Sequence, residues 1–155
     1  MATKIQDFRS PSRERGQRGK KAEEAVHRAL KKWQQADPAH REFSRLLDTR
    51  AAQRIVRKSK ADFEYFSQGQ HGLLEVKETE HDFRFHKSKI TQLADLWHRN
   101  RCGGQCFVLI HHSKSRLWRC IHADWFLANP VETSWDFSIH PLFTSAEEAL
   151  KEHRV

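Results

Sequence analysis

Residues 61–67 and 72–78 are two short segments separated by Ser67-Gln68-Gly69-Gln70, and no other feature limits the possible folds of this chain as strongly. Glycine supplies the permissive dihedrals of a tight turn, so the pair predicts a β-hairpin. With the turn closed on Gln68-Gly69, paired positions sum to 137. Asp62 then falls opposite Glu75, and Lys77 lies two residues further along the same face. Phe63, Tyr65, Leu74 and Val76 turn to the other face, toward a core. A register slip of two residues keeps this arrangement, and a slip of one destroys it.

Other elements follow from periodicity. Ala22, Val26, Ala29, Leu30 and Trp33 recur at helical spacing from about Lys20 to Gln35, and Asp37-Pro38 ends that helix. Phe43, Leu46 and Leu47 have the character of packing residues. The basic stretch from Arg50 to Lys60 suits either a short helix or an extended projection. A second helix is expected from about Lys89 to Arg101, stopped by Gly103-Gly104. Cys106–Ile110 is uniformly apolar and suits a strand buried on both faces. Leu117–Ile121 reads as the next strand, after a turn at Ser113-Lys114-Ser115. Short helices are expected at 123–128 and 145–153. The order of helices and strands predicts one α/β domain with a mixed sheet over residues 16–155, preceded by a flexible basic arm at 1–15.

The net charge is +8, and it is uneven. Residues 1–21 hold seven Lys/Arg and two acids, whereas residues 123–155 hold six acids and two Lys/Arg. Such an excess favours polyanionic partners, and for this chain that means nucleic acid. No apolar run approaches the roughly 18 residues that span a bilayer, so no membrane role is expected. The N-terminus lacks the apolar core of a signal peptide. Cys102, Cys106 and Cys120 are unevenly spaced with no Cys-x-x-Cys, which suits reduced thiols in a cytoplasmic protein and does not suit a zinc site.

Like charges opposite each other on a sheet are unfavourable, so Asp62 facing Glu75 implies a compensating cation. Carboxylate oxygens are hard ligands that prefer Mg²⁺ or Mn²⁺ to zinc. Such an ion polarises a phosphoryl oxygen and acidifies a bound water, and Lys77 can hold the water or stabilise transition-state charge. The same three residues also suit an exposed strand face with a cross-strand ion pair. Taken alone they leave both readings open.

Further segments carry a resemblance. Arg18-Gly19-Lys20-Lys21-Ala22-Glu23 resembles the opening motif of the RecU-like and archaeal Hjc-like Holliday junction resolvases, within the PD-(D/E)XK nuclease superfamily. Lys58-Ser59-Lys60-Ala61-Asp62-Phe63 is similar to the segment leading to that group's first catalytic aspartate, although Ala61 stands where the superfamily name has proline. Leu74-Glu75-Val76-Lys77-Glu78-Thr79 resembles the acid-x-lysine strand of RecU. Ile90-Thr91-Gln92-Leu93 falls where these proteins carry a helix glutamine, and residues 103–110 resemble their glycine-led central strand. The resemblance spans residues 16–127, and the length suits a minimal or phage-type version.

This resemblance implies a restriction endonuclease-like α/β core, with a central mixed β-sheet flanked by helices. It implies a Mg²⁺-dependent homodimeric endonuclease, with Mn²⁺ as a substitute, in the cytoplasm of a bacterial or phage-infected cell. The implied substrate is a four-way DNA junction, cut symmetrically on two strands to leave 5′-phosphates. Asp62, Glu75 and Glu23 would be the metal ligands, Lys77 the catalytic lysine and Gln92 a supporting group. Residues 45–60 occupy the place of the stalk that engages the junction centre in RecU-like proteins. Arg13, Arg15, Arg18 and Lys20 are candidate DNA contacts. So are Arg50, Arg54, Arg57, Lys58 and Lys60, just ahead of Asp62, and Lys87 and Lys89 beyond Glu78-Thr79. Other PD-(D/E)XK nucleases acting on duplex or branched DNA, and a non-catalytic DNA-binding module on the same fold, are the alternatives.

His111-His112 resembles a metal pair, but adjacent strand residues point to opposite faces. The five tryptophans are too dispersed for a base-stacking platform and read as core or subunit-interface residues.

Overall fold

The structure, a computed structural model, describes residues 11–46 and 60–153, with side chains described from residue 16 onward. Helix α1 covers Pro11–Ala36. It begins well before Lys20, so the last residues of the expected arm are helical. Proline suits the first helical position, and the Arg, Glu, Gln and Lys that follow are good helix formers. A helix anchored by its apolar stripe can extend through such residues with little apolar burial of its own. The stripe is as expected: Ala22, Val26, Ala29, Leu30 and Trp33 are all buried.

Strand β1 (Arg41–Arg45) follows, then β2 (Phe63–Ser67) and β3 (Gln70–Thr79). After β4 (Arg84–His86), a 3-10 turn at Lys87–Lys89 precedes α2 (Leu93–Arg101). Strands β5 (Phe107–His112) and β6 (Leu117–His122) lead into α3 (Ala123–Ala128). Strand β7 (Ser134–Asp136) and α4 (Ala146–Glu152) complete the order. The second helix therefore starts later than Lys89, because the His86 ring caps the 3-10 turn by accepting from the Ser88 N–H.

The main sheet has the order β1-β2-β3-β5-β6. Only β3 and β5 are parallel, so the sheet is mixed. Strands β4 and β7 form a separate antiparallel pair. The hairpin turn has φ of 49° at Gln68 and 80° at Gly69. Positive φ at both central residues matches the twist of the flanking strands.

Two cores sandwich the sheet. Helices α1 and α4 cover one face through Val26, Leu30 and Leu150, packed on Phe63, Leu74, Val76 and Leu109. Helices α2 and α3 and the small sheet cover the other face, where Leu96, Phe126 and Phe137 share a cluster with Leu73, Val108 and Ile110. Strand β5 is buried along almost its whole length, as its apolar run predicts. Gly72 permits the close approach of β3 to the β5 entrance. A Cβ there would lie 1.9 Å from the Gln105 carbonyl and 2.4 Å from the Tyr65 ring. The Tyr65 hydroxyl donates to that same carbonyl at 2.8 Å.

Candidate active site

Glu75 and Lys77 sit on the central strand β3, with β2 and β5 on either side. Alternation turns both toward the face carrying Leu73, under α2 and the small sheet. The Glu75 side chain is completely buried, and the ammonium of Lys77, a side chain 21% exposed, is ion-paired to it. A buried carboxylate is retained only with close compensation, and here the first compensation is the lysine two residues along the same face.

Asp62 departs in an instructive way from the expected pairing. The hairpin register sums to 137 from Ser67↔Gln70 to Phe63↔Leu74. One residue earlier the ladder breaks. The Asp62 N–H donates to the Leu74 carbonyl at 3.1 Å, not to its own register partner. The Asp62 carboxylate then takes over the role of a backbone acceptor, receiving the Val76 N–H at 2.7 Å. Meanwhile the Asp62 carbonyl stays in the β1–β2 ladder, accepting from Leu46 at 2.8 Å. Asp62 is thus held at the end of β2, beside β3, with one carboxylate oxygen already committed.

The electrostatics join α1 to this place. Burial is the largest influence on the Asp62 carboxyl and pushes it above its ordinary value. The Val76 hydrogen bond opposes the shift, the charge of Glu23 adds to it, and Lys77 and Arg45 pull the other way. Glu23 is in turn held by Arg45, at 2.5 Å, and the same guanidinium reaches Glu24 at 2.9 Å. Arg45 therefore belongs to the site, although its place in the sequence marks it only as the start of a basic segment. It ends β1 opposite Phe63, next to Asp62, and only that pairing reveals it.

Gln92 occupies the N-cap position of α2 without a side-chain capping bond, and its carboxamide accepts from the Thr91 hydroxyl at 3.0 Å. Arg18 is ion-paired to Glu80, just beyond β3, and Lys20 is exposed on α1. Lys60 is exposed two residues before Asp62. Lys87 donates to the Val131 carbonyl at 3.2 Å, and Lys89 lies over the Phe85 ring at 5.4 Å. Both remain exposed. The side chains of Arg13 and Arg15, and all of Arg50, Arg54, Arg57 and Lys58, lie outside the described residues, as does most of the 45–60 segment. Its first residue, Arg45, ends strand β1.

His111 and His112 part as alternation requires. His111 stacks on Trp118, whereas His112 hydrogen-bonds the His81 carbonyl at 2.8 Å. The three cysteines are free thiols. Trp33, Trp118 and Trp135 are buried, and Trp97 and Trp125 are partly buried.

Asp62 and Glu75 offer hard oxygen donors from a largely desolvated place, which fits Mg²⁺ or Mn²⁺ by donor chemistry. As the side chains stand, no three His, Cys, Asp or Glu groups among the described residues are arranged to hold a metal ion. Arg45 and Lys77 occupy the cationic positions around these carboxylates instead. A divalent ion would have to displace or share with them.

The fold and site thus define an α/β domain with a mixed five-stranded sheet flanked by helices, carrying carboxylates and a lysine on adjacent central strands. Compared by sequence, the chain matches no family model and no curated protein. Among solved structures it is similar to a 1.6 Å structure of Hjc from Archaeoglobus fulgidus, a Holliday junction resolvase from an archaeal hyperthermophile. The identity is 14% and the TM-score 0.48, over 81% of this chain and 98% of that one. No helix among the described residues is long and apolar enough to cross a membrane.

Proposed function

We propose that this chain is a divalent-metal-dependent endonuclease of the PD-(D/E)XK type that acts on four-way DNA junctions. The observation that carries the reading is the fully buried Glu75, ion-paired to Lys77 on the central strand, beside an Asp62 whose carboxylate is desolvated and pressed by Glu23. Burying such a set is unfavourable for stability alone, and carboxylates gathered in a desolvated place suit metal-assisted hydrolysis.

Asp62 and Glu75 would hold Mg²⁺, with Mn²⁺ as a substitute, and Glu23 would contribute from α1 once released from Arg45. When bound, the metal supplies Lewis-acid polarisation of the scissile phosphate and a more acidic water. Lys77 would orient the attacking water and stabilise the charge that grows on the phosphoryl oxygens. Gln92 is assigned a supporting position near that water. The Val76 hydrogen bond holds the Asp62 carboxylate in place, so this ligand is already oriented while Glu23 and Lys77 exchange partners. Lys20 and Lys60 are exposed cations near α1 and β2 for phosphate contact, with Arg18, Lys87 and Lys89 in reserve behind their present partners. A homodimer would place two such sites across a twofold-symmetric branch point and cut two strands of like polarity, leaving 5′-phosphates.

The test is a substrate panel: a synthetic four-way junction, its matched duplex and single strands, each incubated with the protein in Mg²⁺ and in EDTA. Paired symmetric nicks on the junction alone, lost in EDTA, are expected. Equal cutting of duplex would assign a general nuclease. Tight binding with no cutting on any substrate would assign a binding module.

A further inference from the structure

The loop that leaves β3 is fixed with unusual care. Arg119 on β6 is 1% exposed, and its guanidinium grips two loops at once. It donates to the Asp82 carbonyl at 2.5 Å and to the His140 carbonyl at 3.3 Å, and it contacts His112 Nε2 at 2.8 Å. His112, itself fully buried, meets the His81 carbonyl through Nδ1. Since a carbonyl can only accept, Nδ1 carries the proton, and Nε2 is left to accept from Arg119. The Asp82 carboxylate accepts from Ser115 at 2.9 Å, and the Phe83 carbonyl accepts from the Phe137 N–H at 2.8 Å.

A buried guanidinium engaging neutral acceptors is expensive, and burial holds the Arg119 pKa below its ordinary value. What this arrangement holds in place is a pair of exposed apolar side chains. Phe83 is 58% exposed, and Ile139, on the second clamped loop, is 75% exposed. Single exposed apolar residues are ordinary. Two of them on loops tied to one buried arginine are preorganised for contact, because binding would order little that is not already ordered.

The position narrows the occupant. Phe83 lines a depression of about 600 Å³ with Glu80, His81, Arg84 and Lys114 among its neighbours. Glu80 is three residues beyond Lys77, or about 10 Å along an extended chain. That is about three base steps of duplex at ~3.4 Å each. The acids of the depression are already engaged: Glu80 by Arg18, Asp82 by Ser115, and Asp136 by the Ser138 N–H. Lys114 is exposed and makes no ion pair among the described residues. The apolar pair is also too small for a second copy of the chain. A stable interface needs about 800 Å² per partner, whereas a fully buried aromatic side chain contributes about 150–250 Å².

We propose that Phe83, flanked by Lys114 and with Ile139 on the second loop held by Arg119, is a stacking platform for an unpaired or splayed nucleobase close to the phosphate at the candidate active site. The proposal rests on the nuclease reading for its substrate. Arg119 and His112 are positioning residues, which fix the platform through backbone carbonyls and do not touch the base. Every base has a π-face, so the platform selects for a base out of its stack and not for sequence.

The test uses the full chain in EDTA, where no cleavage intervenes. A four-way junction carries 2-aminopurine at the branch point, and a matched duplex carries it at an internal paired position. Wild-type protein is expected to change the fluorescence of the branch-point label and not that of the duplex. Phe83→Ala, a surface change that leaves the cores intact, should remove that change and weaken junction binding by roughly ten-fold or more, with duplex binding unchanged. Phe83→Trp should restore both. Equal affinity of Phe83→Ala and wild type for the junction, or equal weakening on junction and duplex, overturns the platform. So does loss of a dimer in Phe83→Ala with DNA binding intact, which would assign the patch to a second copy. Cleavage in Mg²⁺ is scored separately. A Phe83-dependent fluorescence change without any cutting sinks the nuclease reading and leaves the platform standing. Cutting that is indifferent to Phe83 does the reverse.

Discussion

The β2–β3 hairpin carries charged groups at both ends of the same sheet, and the two ends are built on opposite principles. At the turn end, Glu64 meets His71 at 2.5 Å, and Arg99 reaches both, at 3.9 Å from Glu64 and 3.1 Å from His71. Glu64 and His71 keep 29% and 18% of their side-chain surface in contact with solvent. With Arg99 donating to Nδ1, the ring donates its Nε2–H to Glu64, and the cluster is closed on itself. At the other end, Glu75 has no exposed surface, Asp62 is raised by burial, and Glu23 raises it further. One end is a partly exposed network of hydrogen bonds with a long Arg99–Glu64 ion pair, of small net value. The other keeps Glu75 fully buried beside an Asp62 whose charge is disfavoured, and an added divalent ion would relieve that. A cross-strand ion pair with no further role would look like the first end, not the second.

Substitutions at the two ends should break this symmetry in activity. Lys77→Ala and Asp62→Asn should lower junction cleavage by roughly 10² to 10⁴-fold, measured by single-turnover kinetics in Mg²⁺, with junction binding in EDTA retained. Glu64→Gln should leave the rate within about two-fold. A Lys77→Ala protein that still cuts at the wild-type rate would remove the site assignment.

A stability change is expected at the turn end, where Gly72 allows β2, β3 and the β5 entrance to close. Gly72→Ala should destabilise the chain by about 1–3 kcal/mol or more in denaturant melts, because the new Cβ meets a backbone carbonyl that cannot move cheaply. The loss should be visible without any metal, unlike the loss of cleavage expected at the other end.

Acidification should show a third, smaller difference. Burial lowers the pKa of His112, His140 and His153 below their usual 6.5. The unfolded chain therefore binds more protons than the folded one below about pH 6.5, and stability falls as pH drops from there toward the folded values. Asp62 has the opposite sign. Its folded pKa lies above the ordinary 3.8, so its ionised form is a liability at neutral pH that disappears as pH falls below 3.8. Melts at pH 7.5 and 5.5 should show the histidine loss, and His112→Gln should flatten it. Asp62→Asn should raise the melting temperature of the metal-free protein at pH 7.5.

The hairpin was legible because glycine at position 69 allowed only one economical turn, and the register sum of 137 then followed. The α1 stripe and the β5 run were legible for the same kind of reason, since burial imposes a period. What escaped was set by tertiary contact. Strand β1 has a single large apolar residue, Phe43, and joins the sheet at its edge through β2 alone. Strands β4 and β7 are three residues each, too short to show a period. The break at Asp62 substitutes a side-chain acceptor for a backbone one, and no pattern of residue types encodes that. Arg45 looked like one more cation in a basic stretch until β1 brought it to Glu23. Arg119 and His112 have the composition of a polar surface and are buried only because two loops close over them.

The central claim is that the Asp62–Glu75 end holds a divalent cation and the Glu64 end does not. Calorimetric titration of Mn²⁺ into the metal-free protein tests it directly, with wild type compared against Asp62→Asn, Glu75→Gln and Glu64→Gln. Saturable binding by wild type and Glu64→Gln, lost in Asp62→Asn and Glu75→Gln, is the predicted result. Equal binding by all four proteins, or none by wild type, would contradict it.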